Sequence, residues 1–319
     1  GLHLPSPAGT TLAQDLEPEY PTISPDGKTA YVTLQENNAI AIVDLETKTL
    51  TGVKALGYQD YNQFDIDASN KDGGINFGRY NVWGLYQPDA IAAFEANGEV
   101  FIASANEGDA RDYDGYSEEV RVKDLTLDAT AYPNAAELQD QKVLGRLKTT
   151  TAHGDTDMDG DVDQIIAYGG RSMSIWSAAG DLVWDSQGIV EAKTAELAPS
   201  YFNSNGTDAT FDSRSDDKGA EPEAVVVGTV GSKTYAFLGL ERTGGIMVFD
   251  VTVPADSAYV GFYNNVNPAI ECSEEACATG DVGPEGLVFV PAEQSPTGDA
   301  LLYTANEVSG TVTAWTITN

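Results

Sequence analysis

The feature that most constrains this chain is a repeat. Residues 221–250, EPEAVVVGTVGSKTYAFLGLERTGGIMVFD, set out a Pro-acid step, a short apolar strand, a turn, a second strand ending in glutamate, a Gly or Asn turn, and a third strand closing on Asp. Copies recur at Glu17-Pro18-Glu19 with Glu36, at Gln87-Pro88-Asp89 with Glu107, and at Gly283-Pro284-Glu285 with Glu307. The acid after Pro and the later glutamate are about 17 or 18 residues apart in three copies and about 22 in the last, where EQSPTG adds a surface turn. Short strands punctuated by turn residues at a four-strand period predict an all-β fold, a β-propeller rather than a helical solenoid.

In a propeller the inner strand of each blade starts at the end of the central channel where the second strand finishes. Glu19, Asp89, Glu223 and Glu285, with Glu36, Glu107, Glu241 and Glu307, are therefore expected to crowd one channel mouth. Eight carboxylates there require cations, arginines or protons.

The repeat gives five blades, at about 17–56, 87–123, 145–187, 221–253 and 283–319, with insertions at 57–86, 124–144, 188–220 and 254–282. One propeller domain accounts for the 319 residues better than two average domains. The last blade stops at its third strand, TVTAWTIT, and the N-terminal TTLAQDL is expected as the strand that closes the ring. Residues 133–144 form the best helix candidate, with Pro at the start and Ala, Glu, Leu, Gln and Lys after it. Trp83, Trp176, Trp184 and Trp315 are expected to pack rather than to bind sugars.

Fifty acidic against 17 basic residues give a formal charge of -33, which argues against nucleic acid and anionic membrane as partners and for a saline or calcium-containing medium. No run is long and apolar enough to span a membrane, and no signal peptide is visible, so the chain reads as the mature or trimmed part of an exported protein. Cys272 and Cys277, with four residues between them in a loop, suit a small disulfide; a metal or redox pair would more naturally be CxxC.

The sharpest local motif is Asp155-x-Asp157-x-Asp159-Gly160-Asp161-x-Asp163. Alternating carboxylates put hard oxygens on the inside of one turn, the glycine permits the bend, and position nine closes the cage, so Ca²⁺ is the expected cofactor. An EF-hand would need Glu at position twelve, where Ile166 stands. The spacing resembles the calcium loops of integrin-type FG-GAP propeller repeats. That resemblance implies a structural ion on the face opposite the acidic mouth; an uncoordinated acidic turn is the plainer alternative.

Several stretches together, among them DLEPEYPTISPDGKTAYVTLQENNAIAIVDL, KDGGINFGRYNVWGLYQPDAI, DSRSDDKGAEPEAVVVG and GLERTGGIMVFDV, closely resemble the bacterial choice-of-anchor I proteins over essentially the whole chain. These are exported propeller proteins labelled alkaline-phosphatase-like or mesenchyme-specific cell surface glycoprotein-like. The resemblance implies an extracytoplasmic, secreted or cell-surface location, and a C-terminal portion of a longer, seven-bladed ring. It carries over no catalytic residue.

His3 and His153 are the only histidines, which speaks against a Ser-His-Asp triad and a His/Cys zinc site. Of seven arginines, Arg79, Arg111, Arg171, Arg214 and Arg242 fall in loops expected near the mouth, with Arg171 in the place that glutamate takes elsewhere. Carboxylates for Ca²⁺ beside arginines for an oxyanion suit metal-assisted hydrolysis of a small phosphoester, with Glu223, Glu241, Arg171 and Arg242 as candidate catalytic residues and the mouth carboxylates as a possible second metal site. The alternative is a non-catalytic binding or adhesion propeller for a surface ligand, in which those glutamates hold the ring together. Lactonase-like chemistry lacks a histidine near the mouth.

Overall fold

The computed structural model describes residues 1–270, 272–273, 276–277 and 279–318. The chain is mostly β, 38% strand and 10% helix, in several propeller-like sheets. Four of them are antiparallel and follow the repeat. The first is a meander of Pro21–Ile23, Thr29–Leu34, Ala39–Asp44 and Thr49–Ala55. The third runs through Pro222–Val230, Lys233–Leu240, Ile246–Asp250 and Ala258–Tyr263, and the fourth through Pro284–Val290, Ala300–Asn306 and Thr311–Ile317.

The second sheet corrects the expected boundaries. Ile91–Ala96 and Glu99–Asn106 pair as the repeat requires, but the next strand, Ser172–Ser177, arrives only after a long insertion and is followed by Leu182–Asp185. The expected blade at 145–187 is thus divided. Its first half, Lys148–Thr150 and Ile165–Ala167, joins Glu119–Arg121, Val82–Leu85 and Tyr58–Asp60 in a separate five-stranded sheet that includes one parallel pair. The physical reason is side-chain fit. Met173, Ile175 and Trp176 are wholly or almost wholly buried against the second sheet, whereas Ile165 and Ala167 pack with Tyr61, Ile66, Val82, Leu144 and Leu147 in a core of their own.

The four repeat-derived sheets stack through shared apolar layers. Tyr31 and Ile40 of the first meet Ile91, Ile102 and Trp176 of the second. Phe94, Ala103 and Ile175 of the second meet Val225, Leu238, Met247 and Phe249 of the third. Phe237 and Val248 of the third meet Leu302, with Phe289 and Trp315 beside them. Trp184 packs edge-on against Phe249 at 5.8 Å, so its body serves the core as expected of the tryptophans.

Two local expectations change. Residues 12–15 form one helical turn, not a strand, because Gln14 folds back to accept the Thr11 N–H at 3.0 Å; the segment does not close a ring. The helix expected over 133–144 is only Ala135–Leu138, since the chain turns at Asp140, whose carboxylate accepts the Lys142 N–H and whose carbonyl accepts the Gly145 N–H. The longest helix, Ile189–Leu197, lies instead in the second polar excursion. The expected disulfide involves Cys272 and Cys277, whose side chains lie outside the described residues.

The insertion between the second and third strands of the second sheet is closed by a narrow neck. Gly108 and Gly169 both have positive φ, +94° and +73°, and a Cβ on Gly108 would lie 2.2 Å from the Gly169 nitrogen. Gln87 ties the two together, its carbonyl accepting the Gly108 N–H and its Oε1 accepting the Gly169 N–H. Gly169→Ala is expected to cost about 2 to 3 kcal/mol from backbone strain and crowding. A thermal melt that left the midpoint unchanged would contradict this account of the neck.

Candidate functional site at the acidic mouth and the aspartate loop

At the mouth the structure separates the carboxylates into two groups. The lower group is paired. Glu107, Glu221 and Glu241 bring oxygens within 4.8 Å of one another, and all three are buried. Lys218 Nζ lies 2.7 Å from Glu107 Oε1 and 3.3 Å from Glu221 Oε2. Arg214 Nε donates to Glu221 Oε1 at 2.7 Å, while Arg242 reaches Glu221 Oε2 at 3.3 Å and Glu241 Oε1 at 3.0 Å. Gln35 caps the other Glu107 oxygen at 2.8 Å. Burial pushes the Glu221 carboxyl up, but Lys218, Arg214 and Arg242 outweigh it and hold the group at about 2.

The upper group lacks such partners. Burial, then the charges of Glu241, Glu107, Asp89 and Glu285, push Glu223 up to about 10, and its Oε2 has no hydrogen-bond partner. Asp89 is raised to about 8 by burial and by Glu107, Glu19 and Glu285. Glu36 is raised to about 7, chiefly by burial, with Glu17 and Asp109 nearby, and its Oε2 is likewise unpartnered. Glu19, Glu285 and Glu307 are exposed. Glu241 sits between the groups, raised to about 7 by burial and Glu221 against the pull of Arg242.

Only two of the five arginines serve this mouth. Arg79 makes an exposed pair with Asp65 at 3.0 Å. Arg111 is buried against the N-terminal turn, donating to the Asp15 carbonyl at 2.8 Å and lying 3.2 Å from its carboxylate. Arg171 stands just before the third strand of the second sheet rather than after a second strand. It is 3% exposed, and its terminal nitrogens bond Glu191 and the carbonyls of Asp67, Ser215 and Asp217. The histidines are elsewhere too. Their rings lie 4.8 Å apart, and His3 Nε2 meets the buried Glu118 at 2.8 Å.

The aspartate loop joins two strands of the inserted sheet, Lys148–Thr150 and Ile165–Ala167, and so lies off the repeat-derived blades. Ile166, at position twelve, is buried. The five aspartates fall into two clusters. Asp155, Asp157 and Asp159 share one set of oxygens within 4.8 Å; Asp161 and Asp163 share another with Asp128. Asp155 shapes the turn by accepting the Met158 N–H at 2.6 Å and the Gly160 N–H at 3.0 Å. Asp157 is raised first by the charge of Asp159, and Asp161 by burial and then Asp159 and Asp128. Asp163 is lowered because Thr156 donates to it twice. Each cluster offers three hard oxygens suited to calcium.

Sequence reasoning did not find Glu221, Lys218 or Asp128. Glu221 precedes the proline of its repeat rather than following it, so the Pro-acid step does not mark it. Asp128 comes from the insertion and meets the loop through a parallel bridge between Leu127 and Val162.

The model of the choice-of-anchor I domain matches residues 1–254. The chain belongs to the choice-of-anchor I family. Among curated relatives of this family member, Gigasin-3a of Magallana gigas is 33% identical over 186 residues, covering 55% of the chain and 65% of the relative. The mesenchyme-specific cell surface glycoprotein of Strongylocentrotus purpuratus is 28% identical over 293 residues, covering 81% and 37%. The chain thus spans less than two thirds of either relative. Solved structures that resemble it include the WD40 domain of Toxoplasma gondii coronin (TM-score 0.38, 9% identity, 94% of this chain and 45% of that one). The C-terminal WD40 domain of Sif2 is another (TM-score 0.28, 12% identity, 96% and 71%).

The raised upper carboxylates bind protons in the folded chain over a range where the unfolded chain has lost them. Each therefore contributes stability that is present below its ordinary pKa and lost as pH rises toward its folded one, from about 4.5 to about 10 for Glu223. In the absence of divalent cations the melting temperature is expected to fall between pH 5 and pH 9. Glu223→Gln is expected to flatten that fall and raise the midpoint at pH 9 by about 3 °C or more. An unchanged pH slope in the variant would place Glu223 in water, not in the crowded mouth.

Proposed function

We propose that this family member is a propeller-like binding domain of an extracellular or cell-surface protein, that it recognises a partner without turning one over, and that calcium is held structurally by the Asp155–Asp163 loop. The observation that carries the reading is the internal pairing at the mouth. Arg214 and Arg242 are engaged by Glu221 and Glu241, and Arg171 is sealed beneath the surface, so these arginines present no oxyanion clamp of the kind phosphoester hydrolysis uses. The cell-surface name of the sea-urchin relative supports the location. No helix among the described residues is long and apolar enough to cross a membrane.

The upper acids Asp89, Glu223 and Glu36 suit a divalent cation or a cationic group of a surface ligand. The alkaline-phosphatase reading has only the coexistence of acids and arginines in its favour.

Calcium is expected to raise the melting temperature and EDTA to lower it, and Asp155→Asn/Asp157→Asn/Asp159→Asn combined with Asp161→Asn/Asp163→Asn, which empties both clusters of the loop, should remove most of that response. Hydrolysis of a generic phosphomonoester, titrated with calcium, is expected to stay at the buffer rate. Calcium-dependent turnover that disappears in a Glu223→Gln/Glu241→Gln variant would overturn the non-catalytic reading and restore the enzyme.

A further inference from the structure

The first, second and third sheets each end on a fourth strand, Thr49–Ala55, Leu182–Asp185 and Ala258–Tyr263, which pairs antiparallel with the third strand of its sheet. The fourth sheet differs. Its third strand, Thr311–Ile317, pairs with Ala300–Asn306 on one side and, among the described residues, has no neighbour on the other. Residues 12–15, wound into a helical turn, do not supply one. An edge strand presents a row of backbone N–H and C=O groups outward. Among the described residues, no backbone group beyond Ala300–Asn306 pairs with residues 312–317. Sheet edges are commonly guarded by charge or by a covering element. Lys54 stands on the outer strand of the first sheet and Asp185 on that of the second, and Lys193 of the helix Ile189–Leu197 lies 5.4 Å from the Tyr259 ring on that of the third. The strand TVTAWTI carries no charge, in a chain whose formal charge is -33.

Beside this edge a cleft of about 390 Å³ opens between the third and fourth sheets. Its walls include Tyr235, Val260 and Tyr263 of the third sheet and Trp315 and Ile317 of the fourth, and none of its lining residues is charged. Val260 and Tyr263 are 47% and 52% exposed. Between the second and third sheets the corresponding layer is filled by a fourth strand, Ala258–Tyr263, whose Tyr259 and Phe262 pack into it. The cleft thus lies where the apolar side chains of one more strand would enter. At its Ile317 end it continues past Thr318 to two exposed acids, Glu293 and Asp299.

We propose that the edge Thr311–Ile317 takes an antiparallel β-strand from a partner polypeptide, which sets an aromatic or large aliphatic side chain into the cleft and a lysine or arginine beside Glu293 and Asp299. Antiparallel pairing is what the three other outer strands do, and it places the N-terminal end of the added strand next to Ile317. The basic residue therefore belongs at that end. Main-chain bonds supply the affinity, while the apolar cleft and the two acids supply the choice of side chains. A second copy of the chain fits less well, because its own strand TVTAWTI brings no cation and its net charge repels. The inference rests on the binding-domain reading and names the kind of partner that such a domain would hold.

The test titrates the full chain with a synthetic peptide, Lys-Lys followed by the third sheet's own outer strand AYVGFY of residues 258–263, and reads calorimetry and amide hydrogen exchange. Saturable one-to-one binding is expected, with exchange over residues 312–317 slowed about tenfold or more. Val260→Ser/Tyr263→Ser, at exposed positions, should weaken binding about tenfold. Glu293→Gln/Asp299→Asn should weaken it too and remove most of its salt dependence. Val288→Ser, exposed on the opposite face of the fourth sheet, should leave it unchanged. Unaltered exchange at residues 312–317 in millimolar peptide would overturn the proposal, as would binding undiminished by Val260→Ser/Tyr263→Ser. Slow exchange there before any peptide is added would also overturn it, since a strand of the same polypeptide or of a second copy would then hold the edge. Calcium-dependent turnover at the mouth would refute the binding-domain reading and leave these measurements as they are, so the two fail separately.

Discussion

The mouth depends on one fully buried carboxylate. Glu221 has no exposed surface, and removing such a charge from water is unfavourable unless cations surround it. Lys218, Arg214 and Arg242 do so, and each is shared. Lys218 reaches Glu107 at the end of a second-sheet strand, Arg242 reaches Glu241 at the end of a third-sheet strand, and Arg214 reaches Asp217 in the excursion at 3.0 Å. The same charges that ionise Glu221 thus fasten two blades and a loop to one point. The upper acids have no such pairing, Asp89 feeling Lys218 only at a distance that burial and its acidic neighbours outweigh, and are left to protons or external cations.

The repeat was legible because its unit is contiguous in three of four sheets. Strand alternation and the Pro-acid step are local signals that the first, third and fourth sheets follow, and the closing Asp, Asp44 and Asp250, is kept in the first and third. The second sheet was misread for a topological reason. Its third strand is separated from its second by three strands of the inserted sheet, and linear reading assigns a strand to its nearest neighbour in sequence. Only the burial of Ile175 and Trp176 against Ala103 and Ile102 decides the pairing.

The site was legible to a similar degree. Asp155 through Asp163 announce themselves by spacing, yet their division into two clusters depends on Asp128, which no spacing rule reaches. The arginines were legible as cations but not as to where they point. Arg171 and Arg111 are consumed by carbonyls and carboxylates that come together only in three dimensions.

The Gly108–Gly169 neck has a kinetic reading. The sheet beyond it has its own apolar core around Tyr61, Val82, Leu144 and Ile165, while Met173 and Ile175 belong to the neighbouring blade. That core also takes residues 61–82 from the first excursion, so the body joins the blade at the glycine pinch and at residues 86–90; with a core of its own it is a natural cooperative unit of local opening, and its amide protons should exchange with a free energy different from the blade's. During folding, the second sheet cannot complete itself until that body has compacted enough to bring residue 172 back to residue 106, which makes the ends of the insertion a long-range closure that the other sheets do not require.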